Sequence, residues 1–350
     1  MNILKKTTSI SIIFFIIIAV LLQGCKKNFR SIETANTKHT IRVGVLFSNY
    51  NISSIKLLTE DMKKIEQENL GKVEYTFYDG KGDQKVQDDQ LEDILSKQNA
   101  DIITIDIVDA THTKYTINRI KEFNIPVIFV YNAEQEMIKS YEKAFLASIN
   151  PAEQGTLEGD IIVNAWNKNK RAIDKNGDNI LSYIMLLGSP DNVISINRAK
   201  YYALKINSSN IQSNKIGEKF CYWDQDVAKN DVDEFFLRFG NRIEAIITVE
   251  DGMAIGAIKS LQEHGYNLGN NEKKIVVIGC DGIPEALDLI KKGEMTGTVV
   301  TNTYSVAKDF YTFEMNIYNN KNIIEGTNCT IDSTGKLVTI PLDGVVTNLD

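Results

Sequence analysis

"ADIITIDIVDA" occupies residues 100–110, and its pattern decides the fold. Apolar side chains from Ile102 to Val108 fall on both parities of a strand, interrupted only by Thr104 and Asp106. A strand wetted on one face alternates apolar with polar; a near-continuous apolar run belongs to a strand covered on both faces, the habit of parallel sheets. Outward from it the same grammar recurs. "IRVGVLF" from Ile41, "VEYTFYDG" from Val73 and "IPVIFVYN" from Ile125 are further strands. Between them, "SSIKLLTEDMKKIEQENL" from Ser53, "DQKVQDDQLEDILSKQN" from Asp83 and "YTINRIKEFN" from Tyr115 carry apolar residues at helical spacing. Strands alternating with helices imply a parallel sheet joined by right-handed crossovers.

The alternation restarts at "EQGTLEGDIIVNAWNKN" (from Glu153), a helix. Strands follow at "ILSYIMLLG", "GEKFCYW", "IEAIITVED", "KIVVIGCDG" and "GTVVTN". Helices lie between them at "NVISINRAKYYALKIN", "DVAKNDVDEFFLRF", "GMAIGAIKSLQEHG" and "IPEALDLIKKG", and "YSVAKDFYTFEMNIYNN" is the last long helix. The fold class expected is α/β, with two doubly wound parallel-sheet lobes. Ligands of such sheets sit at the carboxyl ends of the strands, and here two sets of ends would face each other across a cleft.

The N-terminus belongs to neither lobe. Lys5 and Lys6 precede an apolar run from Ile10 to Leu22, followed by "LQGC" ending at Cys25. About 13 apolar residues suit a signal-peptide core better than a bilayer span of ~30 Å. A small residue before a cysteine is the pattern of a bacterial lipobox, so residues 1–24 read as a signal peptide and Cys25 as the lipidated first residue of the mature chain. Residues 25–40, polar and aperiodic, form a tether, and the protein is expected outside the cytoplasm, anchored to the cell membrane.

A chain of 350 residues with 43% hydrophobic side chains has material for two cores. Its net charge of −7 argues against nucleic acid, which demands clustered Lys and Arg. Cys221, Cys280 and Cys329 stand at irregular spacing and imply no disulfide framework. His39, His112 and His264 are scattered, so no zinc pattern arises. No nucleophile elbow, phosphate loop or dinucleotide fingerprint is present, so an enzyme is not expected.

"DKNGDNI" from Asp174 places Asp174, Asn176 and Asp178 on alternate positions, with the Ile180 carbonyl and Ser182 continuing the register. Ca²⁺ takes 6–8 oxygen ligands, and alternating donors let a short loop wrap it. Asn179 stands where an EF-hand has glycine, and no Glu occupies the twelfth place. The same residues also suit an ordinary polar turn, and spacing alone leaves both readings open.

Taken together, the lipobox, "DKNGDNI", "CYWD", "IEAIITVEDGMAIGAI" and "GCDGIPEALDLIKKGEMTGTVV" resemble the bacterial galactose/glucose-binding proteins, type I periplasmic binding proteins that feed sugar ABC transporters. The resemblance runs from Arg42 to the C-terminus. It implies a three-segment hinge with crossings near 150, 301 and 334, hence a first lobe of 41–149 plus 302–333 and a second of 150–301 plus 334–350. It also implies a structural Ca²⁺ completed by a distant Glu, matched by Glu244, with Ser182 in the place of a family Gln.

In the implied sugar cleft, Trp223 matches a stacking Trp, Asp281 a hydroxyl-accepting Asp and Arg198 a donor Arg, while Asp251 either binds or caps the following helix. Elsewhere the chain departs: Ile52 and Ser54 replace an Asp and an aromatic, and Tyr131 and Asn132 replace an Asn and a basic residue. Asn192 and Ile194 replace a His and an Asp, and Glu250 and Thr301 each replace an Asn. Asn132, Asn192 and Glu250 are therefore the candidates for an altered polar set. The implied function is a monomeric lipoprotein that binds a galactose- or glucose-like monosaccharide and delivers it to an ABC permease. The alternative is a sensor of the same fold that signals to a membrane kinase or chemoreceptor.

Overall fold

A computed structural model describes residues 39–269 and 273–349. The signal peptide, Cys25 and most of the tether lie outside the described residues. From Thr40 onward the chain builds two α/β lobes.

The first series runs β1 (Ile41–Phe47), α1 (Ser53–Glu68), β2 (Val73–Asp79), α2 (Gln84–Lys97), β3 (Ile102–Ile105), α3 (Thr113–Glu122), β4 (Val127–Val130), α4 (Gln135–Ile138) and β5 (Ala144–Ile149). The second comprises α5 (Pro151–Ile173), β6 (Leu181–Leu187), α6 (Val193–Ser208), β7 (Ser213–Phe220), α7 (Gln225–Phe239), β8 (Ala245–Thr248), α8 (Asp251–Glu263), β9 (Val276–Asp281), α9 (Pro284–Lys291) and β10 (Gly297–Val300). Then come α10 (Thr303–Tyr318), β11 (Thr330–Ile331), β12 (Leu337–Ile340) and β13 (Gly344–Thr347).

The first sheet has the order β11-β12-β5-β4-β3-β1-β2 and the second β13-β10-β9-β8-β6-β7. β1 pairs in parallel with both β2 and β3, and β6 with both β7 and β8, so each sheet winds outward in two directions from its first strand. β3, β4, β6 and β8 are buried along their whole length, which is why their sequences lack alternation.

One boundary is corrected. A third crossing near 334 would put Leu337–Ile340 in the second lobe. Instead β12 lies in the first sheet, parallel to β5, with Leu337 opposite Leu146 and Ile340 opposite Ile149. Only then does the chain cross, and β13 adds antiparallel to β10 in the second sheet. Val338 and Ile340 are buried against the first core, and that burial keeps the strand there.

α5 and α6 pack in close contact on the second lobe. The approach depends on Gly155, since a Cβ there would overlap the Arg198 carbonyl on α6. Gly155→Ala should therefore cost roughly 1–3 kcal/mol, the usual range for overpacking, read as a lower urea midpoint. An unchanged midpoint would show that the helix pair yields freely.

Candidate functional site

A sheet that winds both ways opens a crevice beyond the carboxyl ends of the two strands where it reverses. Both lobes present such a crevice to the same cavity, of about 380 Å³. In the first lobe it lies beyond β1 and β3, where the hydroxyl and amide of Ser48 both donate to Asp106. Burial nonetheless pushes the Asp106 carboxyl up to about 6, against the pull of the Ser48 bonds. In the second lobe it lies beyond β6 and β8, where Arg198 reaches over from α6 and donates from Nη1 to the Val249 carbonyl.

Around Arg198 the second lobe gathers polar groups whose hydrogen bonding is incomplete. Arg198 is 8% exposed, and its Nε has no hydrogen-bond partner, standing 3.8 Å from Glu158 Oε1. Glu158 is buried, and burial raises its carboxyl to about 8 although Arg198 pulls it down. Gln154 donates to the Cys280 sulfur at 2.8 Å and leaves its Oε1 unpartnered. Thr301 Oγ1, Glu250 Oε1 and Asp281 Oδ2 are likewise buried atoms without partners. Buried polar groups in folded proteins are normally paired, so this many unpaired atoms around one cavity marks a surface made to meet something else.

Asp251 explains how the set is held. Its Oδ2 accepts from the amides of Gly282 (2.7 Å) and Ile283 (2.9 Å), and its Oδ1 from Thr298 Oγ1 (2.7 Å). That brace fixes the turn after β9, where Asp281 takes φ 119°, a conformation side-chain-bearing residues rarely adopt. Asp251 therefore positions Asp281 and presents no oxygen of its own to the cavity wall. Trp223 is aimed by a second unusual turn, Tyr222 and Trp223 both having positive φ (52° and 57°). Its indole packs so closely on Gly188 that a Cβ there would overlap the ring.

The structure brings all six expected ligand residues, Trp223, Asp281, Arg198, Asn132, Asn192 and Glu250, to the wall of this cavity. Two have structural duties as well. Asn192 Oδ1 caps α6 by accepting from Ser195 N at 2.8 Å, and Glu250 Oε2 caps α8 by accepting from Met253 N at 3.1 Å. Asp106, Ser48 and Gln154 also line the wall and were missed. Ile52 and Ile194, at two departed positions, make their share of the wall apolar.

The 174–182 loop lies apart from the cavity. Buried Glu244 reaches it across 62 residues, its Oε2 accepting from Ser182 N (2.9 Å) and its Oε1 from Lys175 N (3.0 Å). Asn179 takes φ 67° and Gly177 φ 71°. Asp174 holds Asn179 N through Oδ2 at 3.1 Å, and its buried Oδ1 has no partner. Asp178 accepts from Asn176 Nδ2 and Ile180 N, both at 2.8 Å. Among the described residues no three acidic, histidine or cysteine side chains converge as a chelating cluster. Burial raises the Glu244 carboxyl, the two amide bonds oppose this, and Asp174 and Asp178 add repulsion.

Comparison with known proteins fits this architecture. The family described as "Periplasmic binding protein domain" matches residues 43–321. The D-galactose/methyl-galactoside binding periplasmic protein of Haemophilus influenzae is 31% identical over 345 residues, 98% of this chain and 97% of that protein. The xylitol-binding protein of Mycolicibacterium smegmatis is 23% identical over 279 residues, 77% of this chain and 70% of its own. The crystal structure of a galactofuranose binding protein superposes with a TM-score of 0.72 at 20% identity, covering 88% of this chain and 95% of that one, a likeness of fold alone. With its two wound lobes and its cleft between their strand ends, the chain belongs to the periplasmic binding protein family of type I fold, a family of binding proteins and not of enzymes.

Proposed function

We propose that this protein is an extracytoplasmic receptor that binds a monosaccharide of galactose or glucose size and presents it to an ABC permease. The observation that carries the reading is the convergence of unpartnered polar atoms from Arg198, Gln154, Asp281, Glu250 and Thr301 on a cavity that also exposes the Trp223 ring. A sugar supplies both halves of that chemistry: hydroxyls for the polar atoms and a C–H face for the indole. The relative in Haemophilus influenzae, similar over nearly the whole chain, is named for galactose binding, which supports the class.

The mechanism is lobe closure. Ligand held by the second lobe bridges to the first, whose Ser54 hydroxyl reaches Asp281 across the cleft. Contacts made only when both lobes engage shift the open–closed population toward the closed form. A permease that recognises the closed form thereby reads occupancy.

The loop donors are suited to a structural Ca²⁺. Asp174, Asn176, Asp178, the Ile180 carbonyl, Ser182 and Glu244 are all oxygen donors, and Asp174 Oδ1 has a free lone-pair direction. Asp178 and Asn176 would have to give up their mutual bond to serve. The ion would offset most of the charge on three neighbouring carboxylates and tie the loop to the start of β8. Cys25 is the proposed lipid anchor, and the working unit is a monomer.

Three measurements test these statements. Trp223 fluorescence should respond to at least one member of a panel of hexoses, pentoses and cyclitols. Arg198→Ala should weaken that ligand roughly ten- to hundred-fold, the worth of hydrogen bonds to a charged group. A silent panel would remove the carbohydrate reading. Ca²⁺ at about a hundred times its Kd should add roughly 2.7 kcal/mol of stability. Glu244→Gln should abolish that gain, whereas identical melting curves with and without chelator would rule out the ion. Finally, Cys25→Ser should release the protein from the membrane fraction; retention there would refute the anchor.

A further inference from the structure

Glu250 and Asp281 line the cleft and share the field of a single Arg198 with Glu158. Glu250 is 2% exposed; Met253 N holds its Oε2 at 3.1 Å, and its Oε1 has no partner. Asp281 Oδ2 is also buried and unpartnered. The groups around them are already engaged. Arg198 donates to the Val249 carbonyl and stands beside Glu158. Asp251 uses both oxygens on the 282–283 amides and Thr298, and the Cys280 sulfur accepts from Gln154. Across the cleft the first lobe offers Ser54, Tyr131 and another acid, Asp106. Among the described residues lining the cavity, Arg198 is the one basic side chain, against Asp106, Asp191, Glu250 and Asp281.

Burial pushes the carboxyls of Glu250 and Asp281 up and repulsion from neighbouring carboxylates adds to it, more than Arg198 and Ser54 at Asp281, or the Met253 and Gly252 amides at Glu250, pull back. Two things relieve such a pair: a proton held in the empty cleft, or positive charge brought by the ligand. A neutral hydroxyl donates one hydrogen bond and leaves the charge excess in place. A protonated amine donates three and cancels charge, which suits two unpartnered acid oxygens on the wall of one cavity. The amides at the start of α8 already hold Glu250 as an acceptor, which favours its anionic form.

We propose that the ligand of this cleft carries a protonated amino group, as an amino sugar or amino cyclitol does, seated between Glu250 and Asp281. This rests on the carbohydrate reading above and names its chemical class.

The test is calorimetric titration of the full chain with glucosamine and galactosamine, their neutral parents glucose and galactose, and their uncharged N-acetyl forms. The amines should bind at least about ten-fold more tightly than either uncharged set. Glu250→Gln, which keeps shape and removes charge, should erase most of that preference, and Asp281→Asn provides the same readout should the first variant fail to fold. Equal or tighter binding of the neutral parents, or a preference that survives both substitutions, overturns the inference. If neutral sugars bind without amine preference, the carbohydrate reading stands and only the charge assignment falls. If no sugar of either kind binds, both fall.

Discussion

The carboxylate of Asp251 accepts three hydrogen bonds, from Gly282 N, Ile283 N and Thr298 Oγ1, and so joins the start of α8 to the end of β9 and to β10. A buried anion is costly unless its lone pairs are met, and here the brace meets both oxygens. Its geometric consequence exceeds its energetic one. Holding the 281–283 turn fixes Asp281 at φ 119°, and being next to Glu250 it also fixes where the cap of α8 begins. Glu250 and Asp281 are thus both set by a residue that does not line the cleft.

The two lobes differ in what they leave unfinished. The first lobe pairs several of its polar groups near the crevice, although the Tyr50 hydroxyl is left unpartnered: Ser48 bonds Asp106, Gln87 bonds the Asp106 carbonyl and the Val108 amide, and Asp79 receives Tyr50 N. The second lobe leaves Gln154, Arg198, Glu250 and Asp281 with unpartnered atoms at the same cavity. Unpartnered polar atoms therefore concentrate on one side of the cleft, while the opposite wall mixes Ile52, Ile107 and Val108 with Ser54, Asp106 and Asn132.

Most of the fold was legible because the central strands are covered on both faces and so announce themselves as apolar runs. β5 was missed because "AFLASI" is short and follows closely on α4, giving no separate period. β12 failed for a different reason. "LVTI" is an alternating strand whose sheet is chosen by long-range burial of Val338 and Ile340, which moved the third crossing from 334 to after Ile340. In the site, Trp223, Arg198 and Asp281 were recognisable from their motifs. Asp106 and Gln154 were not, since a polar residue inside an apolar run or a helix gives no local sign of which cavity it faces. Asn192 and Glu250 carry a signal that reads two ways: each precedes a helix as an N-cap should, and each also lines the cleft. Glu244 lies 62 residues from Ser182, and only the resemblance linked them.

The loop and the cleft occupy opposite ends of the same strands, which separates their effects. The 174–180 loop leads into β6 at Leu181, whereas Gly188, against which Trp223 packs, follows its last residue. Glu244 immediately precedes β8, and Val249 and Glu250 follow it. Seven residues of strand at about 3.3 Å each place the two ends roughly 20 Å apart. At that separation two unit charges interact by less than about 1 kcal/mol at an effective dielectric constant of about 20, so the loop carboxylates contribute little field at Asp281. What physically links the loop to the cleft is the pair β6 and β8, which Glu244 joins at the loop end through Ser182 N. A change at Glu250 alters the charge of the cavity wall itself.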